Sequence, residues 1–589
     1  MTPRLHAFTA AGALATALCA GPAAAAVKLS DAFDGNWFNS SESGRGATVD
    51  YVGLPDGSGV FFLALFSFDN DGNPYWIITA PHMVEHEFSS SDNIQLYSGG
   101  NFGSPFTPPG APVVGGTSTV TVHSCNRITV ELDMNEASGL PDVTLELEQG
   151  QRAVGLGSEP MCAYQTEFTG CPSFASAGSL PRSCVLSGNL LDQDVVLTND
   201  TTWLLDGLVR VGGDNANQAT VTIEPGTVLA GDGGTADYLY VNPGSKIFAN
   251  GRPWAPIVFT SINDGFVDNT EAAPGDVGGL VVSGNAPANA CPQAPFNCFS
   301  EFDQTQRFGG DDPHDSSGEI SYFQVRYAGI RFFENAEVNA FTFQGVGDGT
   351  TVHHIQAYRG QDDGVEFFGG TVNVKHVVVT EGGDDGIDWD LGWSGKIQYA
   401  LVADGDGFGE DHGIEAANNP DNDDALPRAT PVLSNLTLLG TAGSGDGIRL
   451  KEGSAGQIWN TVVGGYPASC INITNGPTYT AAGTPASPTG ITAFNGVLID
   501  CATNFKQDGD APWNTQDFFN SAAFAGNQIA PLQLNGYQPT AGSPARSGGL
   551  RVVGEDGFFD FTPYRGAFDG RTDWTEGWTF RPGGDRFTQ

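Results

Sequence analysis

Basic residues are scarce. Only 25 lysines and arginines stand against 68 aspartates and glutamates, a formal net charge of −43. That balance excludes the long-range attraction to nucleic acid or anionic membranes that a basic chain would have, and it repels acidic polysaccharides. Beyond residue 26 no apolar run approaches the roughly 20 residues of a membrane span, so no integral membrane segment is expected. No long stretch repeats with a period of 3.6, which argues against a helical fold. What the chain has instead is 81 glycines, abundant Val, Ile, Thr and Phe, and many Asn/Asp/Gly clusters. These describe an all-β protein of short strands and tight turns.

Residues 1–26 read as a secretory signal: Arg4, an apolar Ala/Leu/Gly run, then Ala23 to Ala26 before the cut. Removing Cys19 with it leaves eight cysteines, an even number that favours disulfides in an exported chain. Sequence proximity pairs Cys125 with Cys162, Cys171 with Cys184, Cys291 with Cys298 and Cys470 with Cys501.

Residues 27–165 form a separate antiparallel β barrel or sandwich rich in Trp and Phe. Asp69, Asp71 and Asn73 have the odd spacing of a calcium loop but lack its closing glutamate, so a hairpin turn is the expectation. Residues 166–215 read as a Cys-containing connector and amino-terminal cap, 216–510 as a coiled solenoid, and 511–589 as a carboxy-terminal cap and tail whose aromatic stretch, Phe558 to Trp578, should cover the solenoid's open end.

The solenoid announces itself in four strand openings: Asp363-Gly364-Val365-Glu366, Asp385-Gly386-Ile387-Asp388, His412-Gly413-Ile414-Glu415 and Asp446-Gly447-Ile448-Arg449. The glycines lie 22, 27 and 34 residues apart, a repeat length that fits one turn of a parallel β-helix. Stacked coils would bring equivalent residues to within the inter-strand spacing. One row is then Asp363, Asp385, His412, Asp446 and a second is Glu366, Asp388, Glu415, Arg449, with Val365, Ile387, Ile414 and Ile448 in the core. Phe367, Phe368, Trp389 and Trp393 are expected to pack in the core or a cap rather than present a sugar platform.

Residues from about 215 to 580 closely resemble a family of exported bacterial β-helix surface proteins. The resemblance is carried by Ile223-Glu224-Pro225-Gly226-Thr227, Gly279-Leu280-Val281, Asp363 to Val372, Gly392-Trp393-Ser394-Gly395-Lys396 and Tyr564-Arg565-Gly566-Ala567-Phe568. It implies a pectin-lyase-like right-handed parallel β-helix and export to the surface, medium or periplasm of a Gram-negative cell, but no reaction.

A narrower set of positions is similar to polygalacturonase-type glycoside hydrolases: Asp363 before Gly364, Asp384-Asp385, His412-Gly413 and Arg449-Leu450-Lys451. That resemblance implies Asp385 as general acid, Asp363 and Asp384 as water-activating carboxylates, and His412, Arg449 and Lys451 as substrate grips. For the second row the expectation is a metal site at Glu366, Asp388 and Glu415 for calcium, with no organic cofactor. Three readings stay open: a β-helix that binds a polysaccharide or cell-surface glycan with calcium, an inverting glycoside hydrolase, and a passive structural or adhesive solenoid whose carboxylates serve turns and ion pairs.

Overall fold

The structure is a computed structural model. It describes the strands of residues 26–149, residues 164–165 and, with short loop segments excepted, residues 168–580. The expected signal segment, the Asp69/Asp71/Asn73 turn and the Cys125–Cys162 pair lie outside the described residues. The other three expected disulfides, Cys171–Cys184, Cys291–Cys298 and Cys470–Cys501, are formed.

The amino-terminal strands build an antiparallel sheet in which Gly35–Phe38, Gly46–Gly53, Gly59–Phe68 and Pro74–Thr79 pair in sequence. Alternation sends Trp37, Val49, Leu63, Leu65 and Ile77 into its core.

The rest is a parallel β-helix. Val365–Phe368, Ile387–Asp390, His412–Ala416 and Asp446–Leu450 stack in parallel, and Val365, Ile387, Ile414 and Ile448 are aligned and fully buried as expected. Phe367, Trp389 and Trp393 are completely enclosed, Phe367 stacking on Trp393 at 4.0 Å, so these aromatics are core.

The four glycines are required by space rather than by backbone conformation. A Cβ on Gly386 would lie 2.5 Å from Val402 Cγ1 and 2.9 Å from the Gly413 carbonyl, and Gly364 and Gly447 are equally tight. Gly364 and Gly386 sit at bends, and the residues before each glycine gather with those two after it on one outer side of the sheet, as Asp363 and Asp385 do with Asp388 and His412 does with Glu415. Strict alternation would have separated them.

Parallel pairing starts at Ser183–Leu191 with Thr202–Val211 and continues to Gln528–Ile529. The sequence reading of 216–510 is therefore shorter than the ladder at both ends. The first rungs lack the Pro-Gly turn that marks later coils, and the last are too short to show a pattern. The carboxy-terminal end is closed by Trp513, Phe518, Phe519 and Phe524, which pack on the core around the helix Thr515–Phe519.

The aromatic tail does not cover that end; it runs back along the flank. There the long strands Gly318–Arg326, Thr351–Tyr358, Asn373–Thr380, Lys396–Ala403 and Val432–Leu439 each bend at a left-handed residue: Tyr322, His354, His376, Tyr399 and Asn435, with φ from 47° to 64°. The first four rings stack at 4.3, 4.1 and 4.9 Å, which offsets the strain of that conformation. Trp578 lies edge-on against Tyr322 and His354, and Trp574 against His376. The Gln356 and Gln398 side chains each donate to and accept from one tail residue's backbone, Phe580 and Asp560 respectively. A run of apolar and aromatic residues predicts burial, but not which side is buried against.

Trp578 is 1% exposed. Replacing it with Ala should destabilise the protein by about 3–5 kcal/mol in denaturant unfolding, the usual range for a buried Trp truncation. The same truncation of Val553, which is 66% exposed, should change stability by no more than about 0.5 kcal/mol.

Candidate functional site

The ladder predicted from sequence is present in register. Thr342, Glu366, Asp388, Glu415, Arg449 and Asn472 are successive partners across six strands. Neighbouring like charges at the inter-strand spacing of about 4.8 Å would repel by about 3 kcal/mol per pair at an effective dielectric near 20. Each carboxylate therefore needs a counterweight, and two of the three find one among neighbouring side chains.

Glu366 accepts a hydrogen bond from the Asn339 side chain. Glu415 is held by Lys451 Nζ at 2.5 Å and by Arg449 at 3.1 Å. Asp388 has no such partner: its Oδ1 is buried and makes no hydrogen bond. Burial, then the charges of Glu415 and Asp385, push the Asp388 carboxyl well above its ordinary pKa, with Lys451 opposing.

The row before the glycines converges on the same place. Asp363 Oδ1 accepts the Asp385 backbone N–H at 2.9 Å, and Asp385 Oδ1 lies 2.8 Å from His412 Nδ1. Arg449 approaches the other ring nitrogen, Nε2, at 3.4 Å. These contacts assign a neutral imidazole with its proton on Nδ1, donating to Asp385 and accepting from Arg449. Burial lowers the His412 pKa despite the nearby Glu415 and Asp411, in keeping with that form. Asp446, the last of the row, is buried and tied down by Ser469, Asn472 and Lys506.

Three overlapping groups have ligand atoms within 4.8 Å of one another: Asp363 with Asp385 and Asp388; Asp362 with Asp363 and Asp384; and Asp385 with His412 and Glu415. The Glu366/Asp388/Glu415 triad expected to hold a metal does not gather as one set. Asp388 joins Asp363 and Asp385 instead, Glu415 joins His412, and Glu366 belongs to none of the three groups. The cause is the glycine bend, which folds the two rows together, and the competing pull of Lys451, Arg449 and Asn339. Of the residues expected to be catalytic, Asp363 and Asp385 are buried side by side while Asp384 is exposed.

Two participants were missed as site residues. Asp362 stands one place before a residue that was chosen, and burial with the Asp384 charge raises its carboxyl to about 7. Asp390 ends the strand two residues beyond Asp388, and burial raises it to about 7. Both were visible as acidic neighbours of the repeat, but no one-dimensional signal showed that they would be desolvated. Glu301, from the long loop after residue 287, adds its charge to those raising Glu366.

These carboxyls have a pKa raised on folding, so the folded state holds protons the unfolded chain has already released. Stability is then fully present below about pH 4, the ordinary carboxyl value, and falls as pH rises through the folded value of about 7 for Asp362 and Asp390. The chelated protein should show a melting temperature that declines between about pH 4 and pH 7, and Asp388→Asn should flatten that decline.

Neither curated proteins nor solved structures yield a significant match to the chain. A family model described as pectate-lyase like beta helix domain does match, over residues 188–531. That span covers more than half of the sequence and coincides with the parallel ladder and its acidic outer face. The chain belongs to the family of pectate-lyase-like beta helix domains.

Proposed function

We propose that this is an exported, surface-associated or secreted protein that binds carbohydrate on the acidic face of its β-helix with the help of calcium. The observation that carries the reading is the meeting of Asp363, Asp385 and Asp388, with a buried Asp388 Oδ1 that makes no hydrogen bond. Calcium takes six to eight oxygens, mostly carboxylate, carbonyl and water, in flexible geometry. Three carboxyls supply up to six, and sugar hydroxyls or a sugar carboxylate are suitable to complete the shell. Held there, the ion would supply positive charge that balances the ladder and orients a glycan. Arg449, two rungs beyond Asp388 on the ladder, and Lys451, both paired with Glu415, would bind the polymer's oxygens.

The pectate-lyase-like fold supports a carbohydrate partner, and the three disulfides are compatible with export. Among the described residues no helix is long and apolar enough to cross a membrane. The inverting-hydrolase reading asks for carboxyls roughly 6.5–9.5 Å apart, with water between them. Asp363 and Asp385 bring oxygens within 4.8 Å, a separation that favours a shared cation over an attacking water.

Millimolar calcium should raise the melting temperature of the parent protein at pH 8 and leave Asp388→Asn unmoved. At a hundred times the dissociation constant the gain is about 2.7 kcal/mol. In a reducing-sugar assay across plant and microbial polysaccharides, neither protein should release new ends. Release that disappears in Asp385→Asn would establish the hydrolase instead, and a parent protein indifferent to calcium would leave a passive scaffold.

A further inference from the structure

Histidines are few, nine in 589 residues, yet three of them meet under the aromatic tail. His353 Nδ1 lies 2.9 Å from His354 Nδ1, and the His354 ring stacks on that of His376 at 4.1 Å. The first contact is a hydrogen bond only while one nitrogen carries a proton and the other does not. A second proton would set two donors face to face. His376 Nδ1 is buried and makes no hydrogen bond. All three residues are half-buried rather than sealed, so protons can reach them from solvent.

Little around the cluster would balance a positive charge. Glu319 faces His353 but also accepts from Asn250 at 3.0 Å, while Lys375 faces His376. From the tail, Asp560 faces His376 but is paired with Lys375 at 2.8 Å, and Asp573 accepts from Tyr537 and Thr575. Arg252, facing Tyr322, adds positive charge. Burial keeps Tyr322 and Tyr399, which close the stack, uncharged. The indole N–H groups of Trp574 and Trp578 donate to the Ala567 and Trp574 carbonyls, so the tail offers the imidazoles ring edges and no anion of its own besides Asp560. Burial, then the neighbouring histidines, lower His354 to about 2. Burial, then His353 and Lys375, lower His376 to about 3.

We propose that residues 568–580 form an acid-released clasp: protonation of the His353/His354/His376 cluster breaks the stack on which Trp574 and Trp578 rest, and the segment lifts from the flank while the coils beneath stay folded. The clasp has a fixed root. Asn435 donates to the Gly566 carbonyl at 3.1 Å and Thr437 accepts from the Ala567 N–H at 2.9 Å, on a strand that holds no histidine of the cluster. Uncovered histidines titrate near 6.5 and covered ones lower. Docking is therefore intact above that pH and weakens as pH falls, by up to about tenfold per unit for each histidine. The acidic face has the opposite sign. Its raised carboxyls stabilise the coils over the same acid range, so the clasp loosens where the helix tightens.

The test is hydrogen exchange of the full-length protein read by mass spectrometry from about pH 7.5 to 4.5, with a chelator present and the intrinsic pH dependence of exchange removed. Peptides within 568–580 should lose protection at least about thirtyfold between pH 7 and pH 5, the effect of a single histidine over that range. Peptides covering Ile387–Asp390 and Lys396–Ala403 should keep theirs. His354→Phe/His376→Phe retains an aromatic stack without the charges. Its tail should be protected at pH 7 like the parent's and stay so at pH 5. His376→Phe alone, which loses no hydrogen bond at Nδ1, should move the transition to lower pH and serves if the double variant does not dock. A parent tail that keeps its protection down to pH 4.5 would overturn the proposal. So would a loss of protection that both variants share with the parent, or coils that open together with the tail.

Discussion

Coils of a parallel β-helix must sit one inter-strand spacing apart, and everything else in this molecule follows from that distance. At about 4.8 Å, a residue type repeated in each coil becomes a continuous column, whatever its chemistry. Apolar columns cost nothing to stack, and Val365, Ile387, Ile414 and Ile448 form one without interruption. Glycine columns make the approach possible, since a Cβ on Gly364, Gly386 or Gly447 would enter a neighbouring valine or carbonyl. Charged columns are another matter. Glu366, Asp388 and Glu415 repel at the same spacing that stabilises the core, and the sequence ends that column with Arg449.

The acidic face is thus a place where stability has been given up. Two of its three ladder carboxylates are compensated within the protein, Glu366 by an amide and Glu415 by two cations. The central one is left for a proton or an added ion. A solenoid that used these residues only for turns and ion pairs would have had an easy remedy in an amide at position 388. The buried Asp388 Oδ1, which makes no hydrogen bond, is the observation on which the proposed binding site rests.

Much of this could be read from the chain because stacking is governed by the repeat. The glycine register, the core column, the order of the ladder and three disulfides are all matters of spacing along the sequence. Other features depend on direction in space, and spacing does not record it. That the glycine bend turns Asp363 and Asp385 toward Asp388 breaks the alternation on which strand readings rest. The choice of flank for the tail depends on the left-handed column from Tyr322 to Asn435, whose members, Tyr, His, His, Tyr and Asn, look unrelated until their strands are aligned. The solenoid's first and last rungs, too short or without the Pro-Gly turn, have no pattern to detect.

The most direct measurement of the central claim is crystallographic. Crystals grown with calcium, or with a lanthanide in its place, would be examined for anomalous scattering on the outer face of the helix. The account predicts a peak among the carboxylate oxygens of Asp363, Asp385 and Asp388, absent in Asp388→Asn. Crystals that show no peak there at millimolar ion, or one that persists in the variant, would contradict it.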